Sequence, residues 1–130
     1  MTRDEIVRYW IDTSDYDYPV MESLFNNGHF AWSLYIGHLV LEKMLKAYLA
    51  KNKEAAVPHI HHLLKLAQMA DLKLSEDQEN FLLEVTAINL SSRYPDYKES
   101  FHKKATQSYA EGYLEKIKEF RQWLKSKIEK

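Results

Sequence analysis

Only three glycines and three prolines interrupt the 130 residues, and this scarcity of turn formers constrains the fold most. Because Gly and Pro are the strongest breakers of regular structure, we expect long uninterrupted elements. Apolar side chains recur at three- and four-residue spacing, as on one helix face, and no segment alternates with period two. The length suits a single hydrophobic core. We therefore predict one all-α domain over residues 1–130, an antiparallel up-down helical bundle of four main helices plus a short helix.

Capping and breaking signals place the first two helices. Thr2 and Glu5 can form a capping box that opens a helix reaching about residue 26. We expect a kink or break over 13–19, because Pro19 lacks an amide donor and disfavours helix in the residue before it. Asn26-Asn27-Gly28 is a stop signal. The second helix, 29–51, is apolar on nearly every side, which predicts the buried central helix.

The remaining helices follow from similar signals. We expect a short helix over 61–70, and a capping box from Ser75 to Gln78 that opens a helix through Ile88. Residues 89–99 contain two serines and a proline and lack helical periodicity, so they are predicted to form a loop. The last helix is predicted over 101–128, with its apolar residues at three- and four-residue spacing.

Composition excludes several classes of function. Lys and Arg number 18 and Asp and Glu 19, so the net charge of -1 does not indicate nucleic-acid binding by the whole chain. The chain has no cysteine, which rules out disulfides and thiol catalysis. Charged residues interrupt the apolar stretch 30–50, which is typical of a core helix and not of a membrane span. The first residues lack a basic region followed by an apolar one, so we expect a cytoplasmic protein. We also expect no cofactor.

Three polar residues recur along the predicted central helix. His38, Glu42 and Lys46 are four residues apart, which places them on one narrow stripe. Because an unpaired buried charge is costly, each needs a neighbour or water. One interpretation is an ion pair at the seam between two helices that reaches solvent. The other is a polar groove in the bundle that binds a ligand.

Histidines cluster in the segment that follows the central helix. His59, His61 and His62 lie within four residues after Pro58 and raise the possibility of zinc, for which imidazole is a common ligand. However, the two-histidine helical spacing of zinc enzymes is absent and no cysteine is available. We therefore expect no metal site, and expect His61 or His62 to cap the short helix.

A third candidate site is the predicted loop that contains Arg93, Tyr94 and Asp96, with His102 beyond it. The Arg93 guanidinium is a rigid fork suited to phosphate or carboxylate. Tyr94 can stack on a base or cover the bundle end, and the proline that follows fixes an extended backbone. Alternatively, Arg93 pairs with Asp96 or with Glu42 and only holds the loop in place.

Several of these segments together resemble the HEPN domain family (higher eukaryote and prokaryote nucleotide-binding), in the type that carries an Arg-Tyr-Pro-Asp element. The matching elements occur in the family's order and cover nearly the whole chain. They are Tyr9-Trp10, Asp17-Tyr18, Glu42-Lys43-Met44-Leu45-Lys46-Ala47-Tyr48-Leu49, His61-His62-Leu63-Leu64-Lys65-Leu66 and Arg93-Tyr94-Pro95-Asp96.

The resemblance implies a five-helix bundle that is usually a homodimer and is associated with a nucleotide or RNA. Such domains are often partners of a minimal nucleotidyltransferase in a toxin–antitoxin-like pair. Independently of the resemblance, we expect one groove to combine cations for phosphate with an aromatic surface for a base. Its predicted ligand-binding residues are His38, Glu42, Lys46, His61, His62, Arg93, Tyr94 and Asp96.

Many relatives in this family are metal-independent ribonucleases with four to six residues between an arginine and a histidine. Here eight residues separate Arg93 from His102, and His62 stands where the family usually has aspartate. These departures argue against an active ribonuclease. Two alternatives remain open: a metal-independent endoribonuclease that uses Arg93 and His102, and a pure protein-interaction bundle whose aromatic residues form the interface.

Overall fold

Helices account for the regular structure of this chain, and no β-strand occurs in the residues described. The computed structural model describes residues 1–54, 56–93 and 95–129, and side chains throughout these ranges except at 93–98. The predicted all-α bundle is confirmed. The helices are α1 (Arg3–Asn26), α2 (Phe30–Asn52), α3 (Leu63–Met69), α4 (Glu76–Arg93), α5 (Pro95–Lys104) and α6 (Gln107–Ile128).

Side-chain contacts fix the directions of α1 and α2. The Ser14 hydroxyl on α1 donates to the Val40 carbonyl on α2 over 2.9 Å, and the Ser33 hydroxyl donates to the Met21 carbonyl over 3.0 Å. Since the residue number rises on one helix as it falls on the other, α1 and α2 are antiparallel. A three-residue turn containing Gly28, at φ 80°, joins them.

Contacts of α6 orient the other half of the bundle. Gly37 on α2 lies against Ile117, and the Lys51 ammonium donates to the Ile128 carbonyl, so α6 runs parallel to α2. The Phe81 and Phe120 rings are 6.1 Å apart, and Tyr113 donates to Glu84. These two pairs make α4 antiparallel to α6. The carboxyl end of α4 therefore lies at the end of the bundle where α2 begins.

The central helix is buried, as its apolar sequence predicts. Leu34, Val40, Leu41, Met44 and Leu45 of α2 are fully buried. Burial of such side chains supplies most of the favourable free energy of folding. None of the helices in the described ranges combines the length and apolar character that a membrane crossing requires.

The break predicted near Pro19 does not occur. The α1 helix continues from Arg3 to Asn26 with Pro19 inside it. Pro19 and Asp15, the residue one turn earlier, are both exposed, so water can bond the carbonyl that lacks a helical donor. Packing of the opposite face of α1 on α2 holds the helix together.

The predicted boundaries of the last two elements are also wrong. Helix α4 continues through 89–93, where Asn89 and Ser92 are buried and the Ser92 hydroxyl donates to the Asn89 carbonyl over 3.1 Å. Packing against the core thus overrides a weak local preference for helix. Pro95 opens α5 at the first helical position, which suits a residue without an amide donor.

Thr106 divides the predicted 101–128 helix. Its hydroxyl accepts from the Tyr109 amide over 3.3 Å and caps α6, so α5 and α6 are separate helices. Both predicted capping boxes are confirmed. Thr2 and Glu5 exchange hydrogen bonds at the start of α1, as do Ser75 and Gln78 before α4.

Candidate functional site

A buried carboxylate organises the polar stripe on α2. The Lys46 ammonium donates to Oε2 of Glu42 over 3.1 Å, and Nδ1 of His61 donates to Oε1 over 2.8 Å. Nδ1 of His38 is 3.8 Å from the same Oε1 atom. The predicted four-residue spacing therefore brings His38, Glu42 and Lys46 together. His61 joins them from the segment between α2 and α3, and we call these four residues the Glu42 cluster.

The His38 ring ties this cluster to the segment that follows α2. Its Nε2 lies 2.8 Å from the His61 carbonyl oxygen. Because a carbonyl oxygen only accepts, Nε2 carries the proton in this bond. In the neutral ring Nδ1 is then the acceptor nitrogen, and a second proton on it would face the Glu42 carboxylate. The bond holds the His61 backbone against α2 and so positions the His61 ring for Glu42.

Burial differs sharply among the members of the Glu42 cluster. The side chains of His38, Glu42 and Lys46 are 0%, 5% and 5% exposed, whereas that of His61 is 53% exposed. The Lys46 ammonium also lies 5.1 Å from the centre of the Trp10 ring on α1, within cation–π range. The predicted ion pair is present, between Lys46 and Glu42 of α2, and the exposed His61 connects it to solvent. The interpretation as a groove that binds a ligand stays a prediction. The Lys46 ammonium pairs with Glu42, and His61 is the member of the cluster that is exposed enough for a ligand to contact.

The neighbouring His62 has a structural position. Nδ1 of His62 accepts from the Lys65 amide over 3.3 Å and caps α3, which confirms the predicted capping role. The His62 side chain is exposed and is not among the hydrogen-bond partners of Glu42. Within the described residues, no three His, Asp or Glu side chains are grouped so that they can hold a metal ion.

The predicted Arg93 site lies at the carboxyl end of α4. Arg93 is the last residue of α4, seven residues or about 10 Å beyond Thr86, whose hydroxyl accepts from the Leu63 amide. The side chains of Arg93 and Asp96, and all of Tyr94, lie outside the described residues. The predicted pairing of Arg93 with Glu42 or Asp96 therefore stays a prediction.

His102 lies on α5 beside the start of α2. Its ring meets the Trp32 ring edge-on at 5.5 Å between centres. The Nε2 atom is buried and has no hydrogen-bond partner in the part of the chain that the structure describes. Because a buried polar atom without a partner is costly, this nitrogen is a candidate for contact with a ligand.

A pocket of about 230 Å³ adjoins His102. It is lined by Gly28, His29, Phe30, Ala31, Trp32 and Ala105 in addition to His102. The N-cap residue of α2, His29, makes no side-chain hydrogen bond to the first turn. The amides of Phe30 and Ala31 precede the first bond of the helix, from Ser33 to the His29 carbonyl. Such amides and the helix dipole favour an anion.

Some residues of the site were not foreseen in these roles from the sequence. Trp10 covers the Lys46 ammonium from a helix 36 positions away, so no local spacing indicates the contact. Outside the site, Arg121 of α6 is another example: it is buried, donates to Asp15 and lies 4.9 Å from the Tyr18 ring centre. Both contacts depend on how α1 docks on its neighbours.

These observations define a helical bundle with a buried acid–base cluster on its central helix and a small pocket where that helix begins. A family model described as "HEPN domain" matches residues 7–127, and the chain belongs to this family. The chain has no match among curated proteins or among solved structures. Membership of the HEPN family supports a nucleotide- or RNA-associated role.

Proposed function

We propose that the chain is a nucleotide- or RNA-binding HEPN module that holds a phosphate group where α2 begins and α4 ends. The observation that carries this proposal is the buried Nε2 of His102, without a hydrogen-bond partner in the described residues, beside the first turn of α2. An imidazole N–H and the amides of a helix start are both donors to phosphate. Arg93, at the end of α4, adds a charged fork from the same end of the bundle.

The other predicted site residues extend this binding surface. In the proposal Tyr94 stacks on a base and Asp96 orients Arg93. His38 follows Trp32 by six residues, about 9 Å along α2 and about 120° around it, so a ligand that contacts both sites would have to extend around the helix. At the Glu42 cluster the half-exposed His61 contacts the ligand, while Glu42 and Lys46 hold His61 in position.

Substitution of Arg93 and His102 tests the binding proposal. Titration of ATP, GTP and a short fluorescein-labelled RNA is followed by calorimetry and fluorescence anisotropy. Arg93→Ala should weaken binding by roughly 1.5–3 kcal/mol and leave the melting temperature unchanged, because a charge-assisted hydrogen bond to the ligand is lost. Arg8→Ala is the matched control, since Arg8 is exposed near the start of α1, at the opposite end of the bundle. A lower melting temperature with unchanged binding would show that Arg93 is structural.

The unpartnered nitrogen of His102 also favours a second candidate, a metal-independent ribonuclease. In that reading the His102 imidazole moves a proton and Arg93 stabilises phosphate charge. Because eight residues separate the two, we expect little or no cleavage of RNA in EDTA. If robust cleavage occurs and His102→Ala lowers its rate by about 10²–10⁴, the enzyme reading replaces the binding reading. His59→Ala, at an exposed histidine, is the control.

We further propose that the chain is a homodimer that pairs through α4. Leu83 and Leu90 on α4 are 43% and 47% exposed, and they lie two turns apart with the exposed Ala87 between them. All three point away from the core face of α4. A small residue at the centre lets two copies of α4 pack closely around a two-fold axis.

Sedimentation equilibrium tests the dimer. The wild type should sediment at twice 15.4 kDa, and Leu83→Glu with Leu90→Glu should give a folded monomer, because the paired face becomes charged. Val20→Glu, at an exposed apolar residue on α1, is the control and should leave the dimer intact. A wild type that is monomeric at all concentrations would contradict the proposal.

The proposed biological setting is a toxin–antitoxin-like pair with a minimal nucleotidyltransferase. Support comes from the family resemblance and from the family match over residues 7–127. An adjacent gene for a small nucleotidyltransferase, and co-purification of its product with this chain, are the expected results. If no such gene is adjacent and a minimal nucleotidyltransferase does not bind the purified chain, the pairing is wrong.

A further inference from the structure

A groove of about 720 Å³ runs between α4 and α6, away from the His102 pocket and the Glu42 cluster. Aromatic rings form its floor. The Phe81 and Phe120 rings are 6.1 Å apart, and the Phe120 and Trp123 rings are 5.4 Å apart. Phe81 and Phe120 are buried, whereas Trp123 is half-buried and is the ring that a ligand can contact. The groove thus offers an apolar, aromatic surface for one large side chain.

The rim of the groove is acidic. Three carboxylates, Asp77, Glu84 and Glu119, line it together with a single ammonium, that of Lys116. The lining therefore carries a net charge of about -2, although the whole chain has a net charge of only -1. Asp77 in the first turn of α4 also complements the helix dipole, but Glu84 and Glu119 lie well inside their helices. A rim of this sign attracts cations and repels phosphate.

One rim carboxylate is held in place across the groove. The Tyr113 hydroxyl on α6 donates to Oε1 of Glu84 on α4 over 2.5 Å. Burial and the neighbouring Glu84 carboxylate raise the pKa of Tyr113, so the hydroxyl stays a donor at neutral pH. The second oxygen of Glu84 can still accept from a ligand. A fixed acceptor loses little side-chain entropy when it pairs.

We propose that this groove docks a basic amphipathic helical segment of a protein partner. An apolar or aromatic side chain of the segment packs on Trp123, and flanking Lys or Arg side chains pair with Glu84 and Glu119. Two helices that face each other across a groove present the shape in which a third helix packs. The Trp123 ring can accept a cation, since the Lys127 ammonium of its own helix lies 5.0 Å from the ring centre. With Lys127 counted, the net charge at the groove is about -1.

The residues of this groove differ from those of the proposed function. Its lining shares no residue with the His102 pocket or with Leu83, Ala87 and Leu90, although Asn80 at its edge adjoins the dimer face. Failure of the proposed nucleotide binding does not affect the inference, and its own failure leaves the nucleotide proposal untouched.

A defined peptide tests the groove. The probe is a short fluorescein-labelled amphipathic helix made only of leucine and lysine, and the comparison peptides are a scrambled sequence and a leucine–glutamate version. Fluorescence anisotropy should show binding of the leucine–lysine helix and much weaker binding of the other two. In a ¹⁵N-labelled protein, the indole N–H signal of Trp123 should shift with the probe, while those of Trp10 and Trp32 should not.

Charge substitutions sharpen the test. Glu84→Gln with Glu119→Gln should weaken binding of the probe about two- to thirtyfold, because two exposed ion pairs are lost. Glu111→Gln with Glu115→Gln removes the same charge from another exposed part of α6 and should change the affinity less than about twofold. In the first variant, glutamine at position 84 keeps an acceptor for Tyr113. Both double variants should therefore unfold at the temperature of the wild type.

Several results would overturn the proposal. Equal weakening by both double variants would mean that the probe senses only net charge. If spermine shifts the indole N–H signal of Trp123 as strongly as the probe does at a similar concentration, the groove selects a cation and not an amphipathic helix. A dimer that dissociates on Trp123→Ala would mean that a second copy of the chain fills the groove.

Discussion

The ion pair between Glu42 and Lys46 should be the most sensitive point of the fold. Both side chains are 5% exposed, and their charged atoms are 3.1 Å apart. At that distance and an effective dielectric constant of about 20, the attraction is about 5 kcal/mol. Removal of each ion from water costs several kcal/mol, so the intact pair contributes little net stability. Loss of Glu42 leaves the Lys46 charge in the core without a carboxylate partner.

We therefore expect Glu42→Met to lower the free energy of unfolding by about 3–5 kcal/mol. Lys46→Met should lower it by less, because Nδ1 of His61 still donates to Glu42. The double variant should be far more stable than the sum of the two losses predicts. It should lie within about 2 kcal/mol of the wild type, because two apolar side chains of similar volume replace the pair. Since a domain has only about 5–15 kcal/mol of stability, each single variant should remain folded but marginal.

Urea unfolding followed by circular dichroism at the helix band measures these free energies. Asp12→Asn is the matched control, since Arg8 and Asp12 form a pair at the same four-residue spacing but are 66% and 62% exposed. That control should cost less than about 1 kcal/mol. If the Glu42 and Lys46 losses are each below 1 kcal/mol, or if they simply add, the two charges are not coupled and the argument from burial fails.

Three further predictions concern single positions. Gly37→Ala should lower the free energy of unfolding in urea by about 1–3 kcal/mol, because the new Cβ would lie 2.7 Å from Cδ1 of Ile117. Gly112→Ala, whose Cβ would have nothing within 4 Å, should raise it by about 0.5–1 kcal/mol. Since the pKa of Tyr113 is raised in the folded state, its stabilising contribution is full below pH 10 and is lost as pH rises through the folded pKa. Tyr113→Phe should therefore reduce the fall of the melting temperature with rising pH in the alkaline range. Hydrogen bonds at the start of α1 lower the pKa of Glu5, so its stabilising contribution is present above pH 4.5 and is lost as pH falls through the folded pKa. Amide exchange in the first turn should therefore speed up in acid, and Glu5→Gln should remove that dependence.

Interactions within one helical turn could be predicted from the sequence. The capping boxes of α1 and α4, and the salt bridge between Glu42 and Lys46, involve residues three or four apart. A helix places such residues next to each other whatever lies around it. The apolar pattern of α2 likewise predicts its central position, because a helix that is apolar on all sides must be covered.

The helix boundaries near 89–106 could not be predicted in this way. Weak helix formers, Ser92 among them, are helical there because that stretch of α4 packs into the core, and their preference differs from that of ordinary residues by less than about 1 kcal/mol. A proline can follow the end of one helix or occupy the first position of the next, and the packing of the surrounding chain decides which role Pro95 takes. Thr106 has the residue type of an N-cap, but the apolar spacing that continues across it predicts one unbroken helix.

The amino-acid sequence by itself determined the fold class, the caps and the stripe of His38, Glu42 and Lys46. Only the tertiary structure decided that His61 bonds Glu42 from 19 residues away, that Trp10 covers Lys46 and that His102 lies beside the start of α2. Local contacts follow from helical geometry alone. Contacts between helices depend on docking angle and on side-chain packing summed over the whole core, which no spacing of residues encodes.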